Sequence, residues 1–335
     1  MNILSGLYGR AAEWRRAWYG RHPGRRLQLA RPVISIGNIV VGGSGKTPTV
    51  AALARLLQER GERPAILSRG YGRRAAADGV VVVSDGRRVL EPTARSGDEP
   101  QMLAQSLPGV PVLVARERFL AGRVAERRFD ATVHLLDDGF QHLPLARDVE
   151  LVIVAKGDLD EQILPAGRLR EPLAAARHAD AVLVPGSEED AREVTAYTGI
   201  REVFRVTSRY DDLRPAQPDA GERSHTGGRR VLAVAGIARP ERFFAALRAE
   251  GWDVAREMVF RDHHWFSARD AESISRAAAD AGADLVVTTE KDATRLSVPN
   301  LFCLPMRVSI EPADRFMDWL AERLRAARAR RGIAA

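Results

Sequence analysis

The run Val-Gly-Gly-Ser-Gly-Lys-Thr at 41 to 47, set directly after the apolar stretch Val33-Ile34-Ser35-Ile36, constrains this chain more than any other segment. It reads as a phosphate-binding loop that joins a strand to a helix. Glycines let successive backbone N–H groups curl around an anion, a lysine ammonium reaches the outer phosphates, and a threonine hydroxyl can serve Mg²⁺. Gly42, Gly43, Ser44, Gly45, Lys46 and Thr47 are therefore the candidate nucleotide contacts. The strict pattern wants glycine at position 40, where this chain has Val40. The amphipathic segment that follows (Val50, Leu53, Ala54, Leu57) supplies the helix the motif requires, and a merely flexible glycine turn would not need one.

Apolar, β-branched runs recur at 33 to 41, 64 to 67, 80 to 83, 111 to 114, 131 to 136, 149 to 154 and 181 to 184, with helical periodicity at 47 to 60 and 116 to 128. Such alternation predicts an α/β fold, a mostly parallel P-loop-type sheet flanked by helices. Residues 213 to 229 are polar and rich in Pro and Gly, the composition of a linker. They divide a P-loop domain over 32 to 212 from a smaller α/β domain over 230 to 328. In the second part, strands are expected near 231 to 235 and 284 to 288, and helices near 240 to 250, 268 to 281 and from 312.

The charge is uneven. Residues 1 to 31 hold seven arginines against one acid, Glu13, and so carry most of the formal +7. In the same segment Leu4, Leu7, Tyr8, Ala11, Trp14 and Trp18 recur at three- and four-residue steps, lining one helical face. Aromatic and apolar groups beside arginines suit an interfacial helix on an anionic membrane; packing of the stripe onto the protein's own core is the competing reading. A nucleic-acid arm ranks lower, because no nucleic-acid motif follows and the rest of the chain is nearly neutral. No apolar run approaches the roughly 18 residues of a membrane span, and the N-terminus lacks the apolar centre of a secretory signal. A cytosolic location is expected. The single cysteine, Cys303, excludes an internal disulfide and a cysteine-built metal cluster. Lysine is rare: Lys46, Lys156 and Lys291 stand alone among 51 basic residues.

Two acidic pairs and one histidine cluster carry further chemistry. The strand-like run 131 to 136 ends in Asp137-Asp138, where a P-loop enzyme places the carboxylate that serves Mg²⁺. Asp98-Glu99 stands at an expected helix start, where capping alone would explain Asp98. Asp262-His263-His264 can shuttle a proton, ligate, or simply sit satisfied at the surface. A GTPase reading meets two gaps. The D-x-x-G switch fails because Phe140 and Gln141 stand three residues after Asp137 and Asp138, and Ala155-Lys156-Gly157-Asp158 lacks the asparagine of N-K-x-D. A dinucleotide-binding G-x-G-x-x-G fails at Pro48.

Taken in order, Gly37-Asn38-Ile39 with the loop, Ser68-Arg69-Gly70-Tyr71-Gly72-Arg73, Gly97-Asp98-Glu99-Pro100, Asp137-Asp138-Gly139-Phe140-Gln141-His142, Leu164-Pro165-Ala166-Gly167-Arg168-Leu169-Arg170-Glu171-Pro172, Asp262-His263 and Thr289-Glu290-Lys291-Asp292 resemble the tetraacyldisaccharide 4'-kinases of lipid A biosynthesis. The likeness spans nearly the whole chain. Arg168 departs from it, since proline is expected there, and Val40 accords with it. The resemblance implies ATP- and Mg²⁺-dependent phosphorylation of the 4'-hydroxyl of an acylated glucosamine disaccharide 1-phosphate. It also implies a monomeric, peripheral protein on the cytoplasmic face of the bacterial inner membrane, with no nucleic-acid partner. Under it, Asp98, His263 and Lys46 are catalytic; Thr47, Asp137, Asp138 and Glu171 serve the metal; Arg69, Tyr71, Arg170, Gln141 and His142 contact substrate. The competing functions are a P-loop ATPase or GTPase of the metal-insertion or cofactor-delivery type, and a nucleotide-sensing adaptor without transfer chemistry.

Overall fold

The computed structural model describes residues 3–43, 45–75, 78–216 and 230–333. Ser44 and most of the 213 to 229 linker lie outside them. In chain order the first part comprises α1 (Ile3–Arg21), β1 (Val33–Asn38), α2 (Lys46–Glu59), β2 (Pro64–Ser68), β3 (Val81–Asp85), α3 (Thr93–Ser96), α4 (Asp98–Ser106), β4 (Pro111–Val114), α5 (Arg118–Phe129), β5 (Val133–Asp137), β6 (Val149–Ile153), β7 (Ala181–Pro185), α6 (Glu188–Thr198) and β8 (Val203–Tyr210). There follow β9 (Arg214–Pro215), β10 (Arg230–Ala235), α7 (Pro240–Ala249), β11 (Asp253–Val259), α8 (Ala268–Asp280), β12 (Leu285–Thr289), α9 (Glu290–Ala293), β13 (Leu301–Leu304), β14 (Met306–Glu311) and α10 (Ala313–Arg330).

One sheet of nine strands has the order β14-β8-β7-β6-β1-β5-β2-β4-β3. Its seven inner strands run parallel, and β3 and β14 close the two edges antiparallel. Central strands covered on both faces must be apolar throughout, and every residue of β1, β5 and β6 is buried. The sheet is wound outward from β1, which lies between β5 and β6, so the crevice beyond its carboxyl end is where a ligand belongs. The phosphate-binding sequence leaves β1 at that end. A second sheet, β11-β10-β12-β13-β9, is parallel except at β9.

The expected division of the chain needs correction at its end. β14 pairs with β8 along six residues, and Phe316, Met317, Leu320 and Leu324 of α10 are buried in the core of the nine-stranded sheet. The smaller unit thus spans the described residues from Arg214 to Leu304, and β14 and α10 return the chain to the first. Five strands escaped the apolar-run criterion, the two-residue β9 among them. β8 and β14 pair at a sheet edge, and β11 is an edge strand with exposed positions, so polar residues interrupt their runs; β13 has only four residues.

α1 presents an unusual face inward. Ser5, Gly9 and Arg16 are its buried residues, and a Cβ on Gly9 would stand 3.0 Å from Ile163. Leu4, Leu7, Tyr8 and Trp14 are exposed, Trp14 by 67%. Small and polar groups hold this helix to the protein, and its apolar stripe faces outward.

Candidate active site

Gly45, with φ 79°, turns the chain from the loop into α2, so Lys46 and Thr47 open the helix. Lys46 Nζ donates to Asn38 Oδ1 at 3.0 Å and lies 3.6 Å from Asp138 Oδ1. Val40, the apparent defect in the loop, is buried and pairs with Leu169; Val41 N–H donates to the Arg168 carbonyl and Arg170 N–H to that of Ile39. This short antiparallel pairing brings the 164 to 172 segment to the loop. Arg170 Nη1 then reaches both Asp138 oxygens at 3.0 and 2.9 Å and Gln141 Oε1 at 3.2 Å. Gln141 in turn donates to the Asn38 carbonyl.

The two aspartates after β5 differ. Asp137 is buried and accepts from Ser68 Oγ at 3.2 Å through Oδ2, while its Oδ1 has no hydrogen-bond partner among the described residues. Burial, then the negative charges of Glu99 and Asp138, push its carboxyl up to about 7. Asp138 adopts φ 50° and is half-buried. Burial alone would raise it, but the Lys46 and Arg170 charges outweigh burial and hold it below the ordinary carboxylate value. An orphaned, buried carboxylate oxygen beside an ionised one fits a hard divalent cation.

Asp98 begins α4 and is 3% exposed. Its Oδ2 lies 2.8 Å from His263 Nδ1, 3.1 Å from Arg295 Nη1 and 3.9 Å from Lys291 Nζ, all from the smaller unit, and its Oδ1 accepts from Glu99 N–H. Burial would raise this carboxyl; the His263 hydrogen bond and the Lys291 and Arg295 charges hold it below the usual range. His263 sits at φ 60°, and its ring meets that of Tyr71 edge-on with centroids 5.2 Å apart. His264 points elsewhere, to Asp270 at the start of α8. Gly97, at φ 89°, lets the chain pass against the Tyr71 carbonyl, which a Cβ would approach to 2.7 Å. The two clusters are electrostatically joined, since Glu99 acts on Asp137 and lies 3.9 Å from Lys291.

The remaining expected residues divide. Arg69 and Tyr71 are exposed at the mouth of this region. His142 Nδ1 lies 3.3 Å from Arg118 Nη1, and burial followed by the charges of Arg118, Arg147, Arg15 and Arg69 drives its pKa down to about 3, so the ring is neutral. Glu171 turns away from the loop: both its oxygens accept from Arg16, at 2.7 and 2.9 Å. Ser44 lies outside the described residues. Lys156 pairs with Glu193 on the surface.

Sequence reasoning missed Arg118, Arg295 and Asn38. Arg118 is buried, its Nε has no partner among the described residues, and burial and Arg69 lower its pKa to about 10. An arginine inside an ordinary helical period carries no mark of this role. Asn38 could have been found, because an amide ending a buried strand needs a partner.

The whole arrangement has known counterparts. A family model described as tetraacyldisaccharide-1-P 4'-kinase matches residues 1–325. A tetraacyldisaccharide 4'-kinase of Geobacter metallireducens is 41% identical over 307 residues, covering 88% of this chain and 87% of the relative. That of Bradyrhizobium diazoefficiens is 42% identical over 331 residues, covering 94% and 92%. Among solved structures, the LpxK of Aquifex aeolicus in complex with ATP superposes with a TM-score of 0.80 at 31% identity, over 96% of this chain and 98% of that one. Matched by that family model over residues 1–325 and by relatives over nearly their whole length, the chain belongs to the tetraacyldisaccharide-1-phosphate 4'-kinase family.

Proposed function

We propose that this family member performs its ATP-dependent 4'-phosphorylation with Asp98 and His263 as the proton-accepting pair and Lys46 as the cation on the transferred phosphoryl group. The 2.8 Å contact between Asp98 and His263 carries the reading. A sugar hydroxyl becomes a competent nucleophile when a base stands beside it, and phosphoryl transfer otherwise needs mainly positioning and charge. Asp98 is ionised at neutral pH, because His263, Lys291 and Arg295 outweigh its burial. The hydroxyl oxygen attacks phosphorus as its proton passes to the pair, the bond from the γ-phosphorus to the bridging oxygen breaks, and ADP leaves with that electron pair. Lys46, fixed by Asn38 and Asp138, meets the charge that grows on the phosphates.

Thr47, Asp137 and Asp138 would hold Mg²⁺, which neutralises phosphate charge when bound. No group of three or more His, Cys, Asp or Glu suited to a metal occurs among the described residues, in keeping with a Mg²⁺ that takes further ligands from phosphates and water. The exposed Arg69, with the charge of the buried Arg118 and a neutral His142 near it, offers a cationic place to a substrate phosphate.

The N-terminal helix supports a peripheral place on the cytoplasmic face of an anionic inner membrane. Leu4, Leu7, Tyr8 and Trp14 are exposed together, and no helix among the described residues is long and apolar enough to cross a membrane. An outward apolar face of this kind enters the boundary of headgroup and acyl chain, where the substrate's own acyl chains reside. Incubation with ATP, Mg²⁺ and the acylated disaccharide 1-phosphate tests the assignment: the lipid should gain one phosphate, and phosphate release without lipid modification would instead support the ATPase class.

A further inference from the structure

The arginines of α1 do something an anchor does not require. Arg16 is nearly buried, with Nε 2.7 Å from Glu171 Oε2 and Nη2 2.9 Å from Oε1. Its Nη2 also donates to the Phe140 carbonyl at 3.1 Å, and its guanidinium lies 4.2 Å from the Phe140 ring centroid. Arg15 donates to the Gln141 carbonyl at 2.9 Å. Phe140 and Gln141 lie two and three residues after Asp138, beyond Gly139, and Glu171 follows Arg170, whose guanidinium binds both Asp138 oxygens. α1 therefore grips both segments that set the Asp138 carboxylate. Gly37 lets Phe140 pack this close to β1, since a Cβ there would stand 2.6 Å from the Phe140 backbone nitrogen.

We infer that Arg16 is a positioning residue: through Phe140 and Glu171 it fixes the Asp138–Arg170 pair, which makes α1 a strut of the nucleotide site as well as a surface anchor. The inference rests on the reading that Asp138 serves Mg²⁺ and ATP. A guanidinium fork is needed because two carboxylate oxygens and a carbonyl are held from one planar group, which an ammonium cannot do in the same geometry. Residues that orient a metal-serving carboxylate typically change metal affinity or activity about 10- to 100-fold when altered.

The test measures binding of a fluorescent ATP analogue to the full chain over a Mg²⁺ titration, in the parent, Arg16→Lys, the double variant Arg16→Met with Glu171→Met, and Asp138→Asn. The double variant leaves no buried charge unpaired, so it guards against simple misfolding of the single one. The expected result is that Asp138→Asn and both Arg16 variants raise the half-saturating Mg²⁺ concentration about tenfold, while partitioning onto anionic phospholipid vesicles stays at the parent level. Arg16 variants with the parent Mg²⁺ response, in a series where Asp138→Asn is impaired, would overturn the inference. An unimpaired Asp138→Asn would overturn the underlying reading of Asp138.

Discussion

His263 Nδ1 and Asp98 Oδ2 lie 2.8 Å apart although 165 residues separate them in the chain. One belongs to the nine-stranded unit and the other to the five-stranded unit, so the candidate base exists only where the two units meet. Arg295 and Lys291 reinforce the contact from the same side as His263.

Replacement of Asp98 should therefore act on chemistry. Asp98→Ala is expected to lower kcat by about 10²-fold or more with little change in the KM for ATP, the pattern of a lost general base. Steady-state kinetics on the lipid substrate decide it, and near-normal turnover would remove Asp98 from the mechanism.

Arg118 should act on binding. With its Nε lacking a partner among the described residues, and Arg69 and a neutral His142 close by, Arg118→Met is expected to raise the lipid KM about tenfold while the ATP KM changes little. A larger rise in the ATP KM than in the lipid KM would place its role at the nucleotide.

Asp137 gives a pH signature. Its carboxyl is raised from 3.8 to about 7, so between those values the folded protein holds a proton that the unfolded chain has released. The associated stability is present at low pH and lost as pH rises through about 7. Parent and Asp137→Asn should accordingly differ in the change of Tm between about pH 5.5 and about pH 8, with the parent losing more. Parallel pH profiles would argue that Asp137 is ionised throughout.

The outward face of α1 can be separated from its inward face. Leu7→Ser with Trp14→Ser should weaken binding to anionic vesicles and leave Tm close to the parent, because both side chains are exposed. A large fall in Tm would mean that these residues pack against the protein.

The inner strands β1, β2 and β4 to β7 were legible because they are buried almost throughout and so read as unbroken apolar runs. The return of the chain at β14 and α10 was not, since an edge strand such as Met306–Glu311 mixes arginine and serine with its apolar residues and looks like a loop. At the site, Lys46 and Asp138 stood out through motifs, and Asp98, which capping alone would explain, only through the family resemblance. Which of His263 and His264 faces Asp98 did not, because that choice is made by the φ of 60° at His263 and the pull of Asp270 on its neighbour. Nothing in the arginine-rich first 31 residues marked Arg15 and Arg16 as reaching Gln141, Phe140 and Glu171, since only the fold reveals which side of α1 is turned inward.

The most direct test of the account is the mass of the acylated disaccharide 1-phosphate after incubation with ATP and Mg²⁺, with parent protein and with Asp98→Asn. The lipid should gain one phosphate with the parent, and do so at least about 10²-fold more slowly with the variant. An unmodified lipid alongside ATP hydrolysis by the parent, or equal rates for the two proteins, would contradict the account.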